Sequence, residues 1–176
     1  MKRYCITDSI EVAARAARDS VDMIQIRAKE LSARAQSLLV RSAWGRPPGC
    51  QSKLLVNTRT DIALACRADG VHLPAHSISP ALIRTLTPPD FLIGVSCHTI
   101  EELQAAEREG ADFAVFGPIF PTASKTAAPL GIDALREAVR SINHLPIYAL
   151  GGVTTGNARL CTEAGATGIA GISLFQ

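Results

Sequence analysis

The feature that most constrains this chain is a regular alternation of two hydrophobic periods. Short apolar runs rich in β-branched and aromatic residues occur at Arg3–Asp8, Met23–Ala28, Lys53–Thr58, Gly70–Pro74, Leu92–Cys97, Phe113–Ile119, Pro146–Gly152 and Gly168–Phe175. Between them lie alanine- and leucine-rich segments of helical period: Ile10–Ser20, Ser32–Trp44, Thr60–Arg67, Pro80–Leu86, Ile100–Glu109, Ile132–Ser141 and Thr155–Ala164. Strand followed by helix, repeated along the whole chain, is the pattern of parallel strands joined by crossover helices. Ser79-Pro80 and Thr154-Thr155 supply capping hydroxyls or a proline for the first helical turn. Eight such units close as a barrel or lie open as a doubly wound sheet, and strand count alone does not decide. A barrel of 176 residues is lean beside the ~250 that is typical. Its eighth helix would be short or absent, leaving apolar surface around Ile169 and Leu174 and making a homodimer one expectation.

Residues 1–176 have the size of one domain, and 47% hydrophobic residues suffice for a substantial core. Charge points away from polyanions: 18 Lys+Arg against 16 Asp+Glu leave only +2, with no long block of either sign. No nucleic-acid or membrane partner is expected, and small molecules are favoured. The five cysteines, Cys5, Cys50, Cys66, Cys97 and Cys161, include no C-x-x-C pair, so they read as reduced and mostly buried. Acid and hydroxyl groups interrupt the first apolar run, and no later segment reaches spanning length, which suits a cytoplasmic enzyme.

Polar residues that interrupt the strand patterns gather at their C-terminal ends, where the loops of a barrel build its active site. These are Thr7, Asp8, Arg27, Lys29, Asn57, Ser96, His98, Gly151, Gly152 and, within the last run, Ser173, with Lys125 following the sixth strand. Alternation places Gln25, Arg27 and Lys29 on one side of the second strand. Two cations and an amide there suit a phosphate or pyrophosphate, although a strand end carrying solvated cations explains the same residues. The stretch from Gly117 to Lys125, containing Thr122 and Ser124, is either an anion-wrapping loop or a generic turn. Gly151-Gly152, and Ile172-Ser173 in the last strand, fall where barrels commonly bind phosphate through backbone N–H groups. His72 reads as an interior filler and His98 as a helix cap. Cys97 and His98 are adjacent on a strand and face opposite ways, so they do not form a nucleophilic pair.

These residues carry a family resemblance. Tyr4 to Asp8, Gln25-x-Arg27-x-Lys29, Asn57-x-Arg59-x-Asp61, Gly70-Val71-His72-Leu73, Gly94-Val95-Ser96, Gly110-Ala111-Asp112, Phe116 to Thr122 with Lys125, Gly151-Gly152 and Gly168-Ile169-Ala170 together resemble the thiamine phosphate synthases and their relatives, the TenI-type thiazole tautomerases. The resemblance implies a single-domain (β/α)8 TIM barrel. It also implies a transferase that joins hydroxymethylpyrimidine diphosphate to thiazole phosphate, giving thiamine phosphate and pyrophosphate. Carried over, Gln25 would touch the pyrimidine, while Arg27, Lys29, Asn57 and Lys125 would hold the pyrophosphate. Thr122, Ser124, Gly152, Ile172 and Ser173 would hold the thiazole phosphate. Magnesium (Mg2+) is the implied cofactor, but its two family aspartates correspond to Thr58 and Ser77 here. The tautomerases do without that metal, yet their histidine corresponds to Pro118. A tautomerase and a non-catalytic barrel binding a phosphorylated metabolite therefore stand as alternatives to the synthase. A metal-assisted epimerase would need clustered His and Asp, which the sequence lacks.

Overall fold

A computed structural model describes residues 1–43, 49–122 and 128–176. Within these described residues eight parallel strands alternate with seven α-helices: β1 Lys2–Thr7, α1 Ile10–Arg18, β2 Met23–Ile26, α2 Ala33–Ala43, β3 Lys53–Asn57, α3 Thr60–Ala65, β4 Gly70–Leu73, α4 Pro80–Arg84, β5 Leu92–Cys97, α5 Ile100–Arg108, β6 Phe113–Phe116, α6 Gly131–Arg140, β7 Ile147–Leu150, α7 Ala158–Glu163 and β8 Gly168–Gly171. The strands close as a barrel in chain order. The closing seam pairs Lys2 with Gly168 and Tyr4 with Ala170. This resolves the choice between barrel and open sheet.

Alternation along each strand divides the core in two. One set, including Tyr4, Ile6, Met23, Leu55, Phe113, Val115, Tyr148 and Ala170, packs as a cluster of its own, and its alternation places it in the lumen. The larger set, including Cys5, Ile24, Val56, Val71, Ile93, Ala114 and Ile169, packs with α1, α5 and α6 through Ala13, Leu103 and Leu135. The lumen floor is aromatic: Phe113 meets Tyr4 and Tyr148 edge-on, each with ring centroids 5.5 Å apart. Gly94 on β5 makes room for that packing, because a Cβ there would stand 2.2 Å from the Phe113 ring.

The N-terminal rim uses one device three times. Asp22, Asp69 and Asp112 each immediately precede an even-numbered strand. Each carboxylate accepts a backbone N–H near the start of the preceding odd strand: Arg3 at 2.8 Å, Leu54 at 2.7 Å and Ile93 at 2.6 Å. Asp112 is also bound by the Arg84 guanidinium at 2.6 Å, tying α4 to the same corner.

Several sequence boundaries shift. The eighth strand ends at Gly171, and Ser173–Phe175 forms a 3-10 turn, so Ser173 is not in the strand. This turn packs Leu174 and Phe175 against the core, with the Arg15 guanidinium donating to the Phe175 carbonyl. Ile169 is itself buried at 3% exposure, although with Leu174 and Phe175 it lines an open cavity of about 400 Å3 beside α1 and α7. The sixth strand stops at Phe116, before a cis Gly117–Pro118 bond. The seventh covers only Ile147–Leu150, and α7 starts at Ala158 because Thr154 and Asn157 first form a reciprocal turn. His98 does not cap α5 with its ring. Thr99 accepts the Glu102 N–H as the N-cap, and the Glu102 carboxylate reaches one residue further back to accept the His98 N–H.

Removing the carboxylate at the Asp112 corner tests this device. Asp112→Ala leaves the Ile93 N–H and Arg84 without their charged partner. It is expected to cost about 2 kcal/mol, seen as a fall in melting temperature of roughly 4–8 °C.

Candidate active site

Because every strand runs the same way, the C-terminal ends converge on one rim, and the cavity there measures about 240 Å3. Its wall comprises Ile6, Gln25, Arg27, Asn57, His72, Ser96, Val115, Pro118, Thr122, Leu150, Gly151, Gly152, Val153, Ala170, Gly171, Ile172 and Ser173. Of the residues singled out from the sequence, Gln25, Arg27, Asn57, Ser96, Thr122, Gly151, Gly152, Ile172 and Ser173 are thus brought together. Lys29 is exposed and is not part of the wall. β2 ends at Ile26, but Arg27 continues its ladder through the N–H it donates to the Thr7 carbonyl and shares the wall with Gln25, whereas the chain has left the strand by Lys29. Ser124 and Lys125 lie outside the described residues.

The two sides of the cavity differ in chemistry. On the β2–β3 side, Gln25 is 1% exposed and donates from Nε2 to Asn57 Oδ1 at 3.2 Å. Asn57 in turn donates from Nδ2 to Thr58 Oγ1 at 2.9 Å. Arg27 lies at the end of this series, anchored by its backbone N–H on the Thr7 carbonyl at 2.8 Å. On the β7–β8 side, Gly151 and Gly152 have φ of 96° and 63°. A Cβ on either would collide with the β6–α6 connection, at 2.5 Å from Pro118 or 2.3 Å from the Pro121 carbonyl oxygen. No acceptor among the described residues takes either glycine's backbone N–H. They are therefore available to an anion, as fits a backbone phosphate cradle.

The cavity floor contains a histidine that the sequence suggested was only a filler. His72 is 4% exposed, with Nδ1 3.2 Å from Tyr4 Oη and Nε2 2.9 Å from Ser96 Oγ. Burial, helped by the Arg27 charge, pulls its pKa from the usual 6.5 to about 3. The ring is neutral across the physiological range. Burial also raises the Tyr4 phenol well above its ordinary value. Cys97 is fully buried and its thiol is pushed up to about 12, which removes it as a nucleophile.

Magnesium, implied by the resemblance, does not fit the residues present. The described cavity wall contains no carboxylate, and among the described residues no cluster of three His, Cys, Asp or Glu side chains could hold a metal ion. The Thr58 hydroxyl accepts from Asn57, while Ser77 lines a separate cavity of about 180 Å3 beside α4 and α5. Asp61 is held in an ion pair with Arg59.

Comparison with known proteins agrees with this construction. The family model described as thiamine monophosphate synthase matches residues 2–175. The chain belongs to that family. It is 41% identical over 168 residues to the thiamine-phosphate synthase of Methanocella arvoryzae, covering 93% of this chain and 77% of that protein. It is likewise 41% identical over 172 residues to the thiamine-phosphate synthase of Chlorobium luteolum, covering 95% and 79%. A solved structure described as thiamine phosphate pyrophosphorylase from Pyrococcus furiosus superposes with a TM-score of 0.88 at 32% identity, over 98% of this chain and 85% of that one. The thiamine monophosphate synthase family consists of transferases acting on small molecules in thiamine biosynthesis. The described helices include none long and apolar enough to cross a membrane.

Two predictions follow from the site's local physics. Thr58 has φ of 64°, a left-handed conformation costly for a β-branched residue and tolerated by Asp. Thr58→Asp is expected to raise the melting temperature by roughly 2–4 °C, equivalent to about 1 kcal/mol, as read by thermal unfolding followed by circular dichroism. His72 has a folded pKa below its unfolded value, so the unfolded chain binds the extra proton between about pH 3 and 6.5. Its stabilising contribution is complete above that window and lost as pH falls through it. Urea unfolding should show the parent losing about 1.2 kcal/mol more between pH 6 and pH 5 than Tyr4→Phe/His72→Leu.

Proposed function

We propose that this chain is a thiamine phosphate synthase, coupling hydroxymethylpyrimidine diphosphate to thiazole phosphate with release of pyrophosphate. The observation that carries the reading is the pair of opposed anion-handling walls around one cavity: Arg27, Asn57 and Ser96 on one side, Gly151, Gly152, Ile172 and Ser173 on the other. Two phosphorylated substrates need two such walls, placed so that their reacting ends meet.

In this reading Gln25, fixed by its bond to Asn57, orients the pyrimidine. Arg27, Asn57, Lys29 and Lys125 receive the diphosphate. As the pyrimidine carbon–oxygen bond breaks, pyrophosphate departs with the electron pair, and the thiazole nitrogen attacks the carbon left behind. Charge gathers on the departing oxygens, where an aligned guanidinium and hydroxyl stabilise the transition state more than the ground state. Thr122, Ser124, Gly151, Gly152, Ile172 and Ser173 hold the thiazole phosphate. Magnesium accompanies the reaction in the resembling family; no step assigned to these residues depends on it.

The tautomerase alternative requires a proton carrier beside the thiazole. Among the described wall residues the titratable groups are Arg27 and His72, and His72 is held neutral with a pKa of about 3. Pro118 occupies the position of the tautomerase histidine. The synthase reading includes a cytoplasmic location and a homodimer, the latter measurable by light scattering.

Incubation with both substrates, with and without magnesium, followed by oxidation of product to its fluorescent derivative, tests the assignment directly. Coupled product is expected, with kcat/KM falling about 100-fold or more in Arg27→Ala, the scale for losing one charge-stabilising group. Thiazole phosphate binding without coupled product would replace this reading with the binding-only one.

A further inference from the structure

Tyr4, His72 and Ser96 form a continuous polar chain from the aromatic floor of the barrel to the cavity wall, with separations of 3.2 Å and 2.9 Å. Counting its hydrogens leaves two arrangements. In the first, Tyr4 O–H donates to His72 Nδ1, Nε2–H donates to Ser96 Oγ, and the Ser96 hydrogen is free to point into the cavity. In the second, Nδ1–H donates to Tyr4 Oη and Ser96 O–H donates to Nε2, so that Ser96 offers the cavity only lone pairs.

The second arrangement leaves the Tyr4 hydrogen without an acceptor. Tyr4 is 0% exposed, and its hydroxyl has no further partner among the described residues. The Tyr4 ring packs edge-on against Phe113 and Tyr148 within an apolar cluster. An orphaned buried donor disfavours a state by between about fivefold and a hundredfold. The neutral ring carries one N–H, so placing it on Nε2 satisfies every member of the chain at once.

We propose that Tyr4 and His72 are positioning residues that fix Ser96 as a hydrogen-bond donor, aimed at a phosphoryl oxygen of the ligand. Tyr4 acts at a distance by fixing the tautomer of His72, and His72 occupies the Ser96 lone pair that would otherwise compete for a donor from the ligand or water. The choice of a phosphoryl oxygen rests on the diphosphate reading of the cavity. The tautomer assignment does not, because it depends on the protein's own hydrogens alone.

Nitrogen-15 NMR of histidine-labelled protein reads the tautomer without any ligand. A protonated Nε2 and bare Nδ1 at His72, unchanged between pH 5.5 and 8, is expected; a protonated Nδ1 would overturn the proposal. Calorimetry with inorganic pyrophosphate then reads the consequence. Tyr4→Phe/His72→Leu makes both inner partners apolar together, leaving neither orphaned, and keeps Ser96 present but unheld. Its pyrophosphate Kd should rise about three- to tenfold over the parent, and should not change when the same pair is introduced into Ser96→Ala. An equal loss in both backgrounds, or none in the first, would overturn the positioning role. An Nε2–H tautomer in a protein that binds thiazole phosphate but not pyrophosphate would instead sink the diphosphate reading and support the hydrogen assignment alone.

Discussion

Parallel pairing of β1 with β8 is the constraint on which the molecule depends. It joins Lys2–Cys5 to Gly168–Gly171, segments from opposite ends of the sequence, and turns eight local strand–helix units into a ring. Without that seam Tyr4 would not reach across the lumen to His72 on β4, and the β7–β8 glycine loop would not face Arg27 from β2. The rim aspartates support the same ring from below. Each holds a backbone N–H of the neighbouring strand that the ladder itself leaves available, so the carboxylates fix the N-terminal ends while the C-terminal ends remain open for chemistry.

The interior divides by charge as well as by depth. Rings of Tyr4, Phe113 and Tyr148 make the floor a place where an ionised group is costly. His72 enters that floor only as a neutral ring with both nitrogens engaged. Positive charge is kept one level higher, at Arg27, where the cavity opens. That arrangement suits a site that receives anions: the permanent cation meets the ligand, and the groups beneath it direct hydrogens without competing for the charge. The absence of a carboxylate from the described wall follows the same logic, and it separates this chain from the metal-binding pattern that its family resemblance implies.

Much of the site was legible because strands impose a period of two. Gln25 and Arg27 could be placed together from their spacing, as could Gly151-Gly152 by their position between a strand and a helix start. The same rule failed at Lys29, where the backbone leaves the strand and parity no longer defines a direction. It failed again at Ser173, which a continuous apolar pattern assigned to a strand although the chain turns after Gly171. The rim aspartates were legible only as isolated acids, since their partners are backbone N–H groups on neighbouring strands and leave no mark in the sequence. His72 was read as a filler for a related reason. A lone histidine in an apolar run carries no record of Tyr4, 68 positions earlier, or of Ser96 on the next strand.

Sequence by itself determined the units: which segments alternate with period two, which coil with period 3.6, where glycines permit a sharp approach, and which polar residues end the strands. Those properties are local, set by backbone sterics and by the face that each element must bury. Only the tertiary structure decided that the units close into a ring, that a 3-10 turn follows β8, and that Tyr4, His72 and Ser96 share their hydrogens. These depend on contacts between residues far apart in sequence, and on the protonation that burial imposes once those contacts exist.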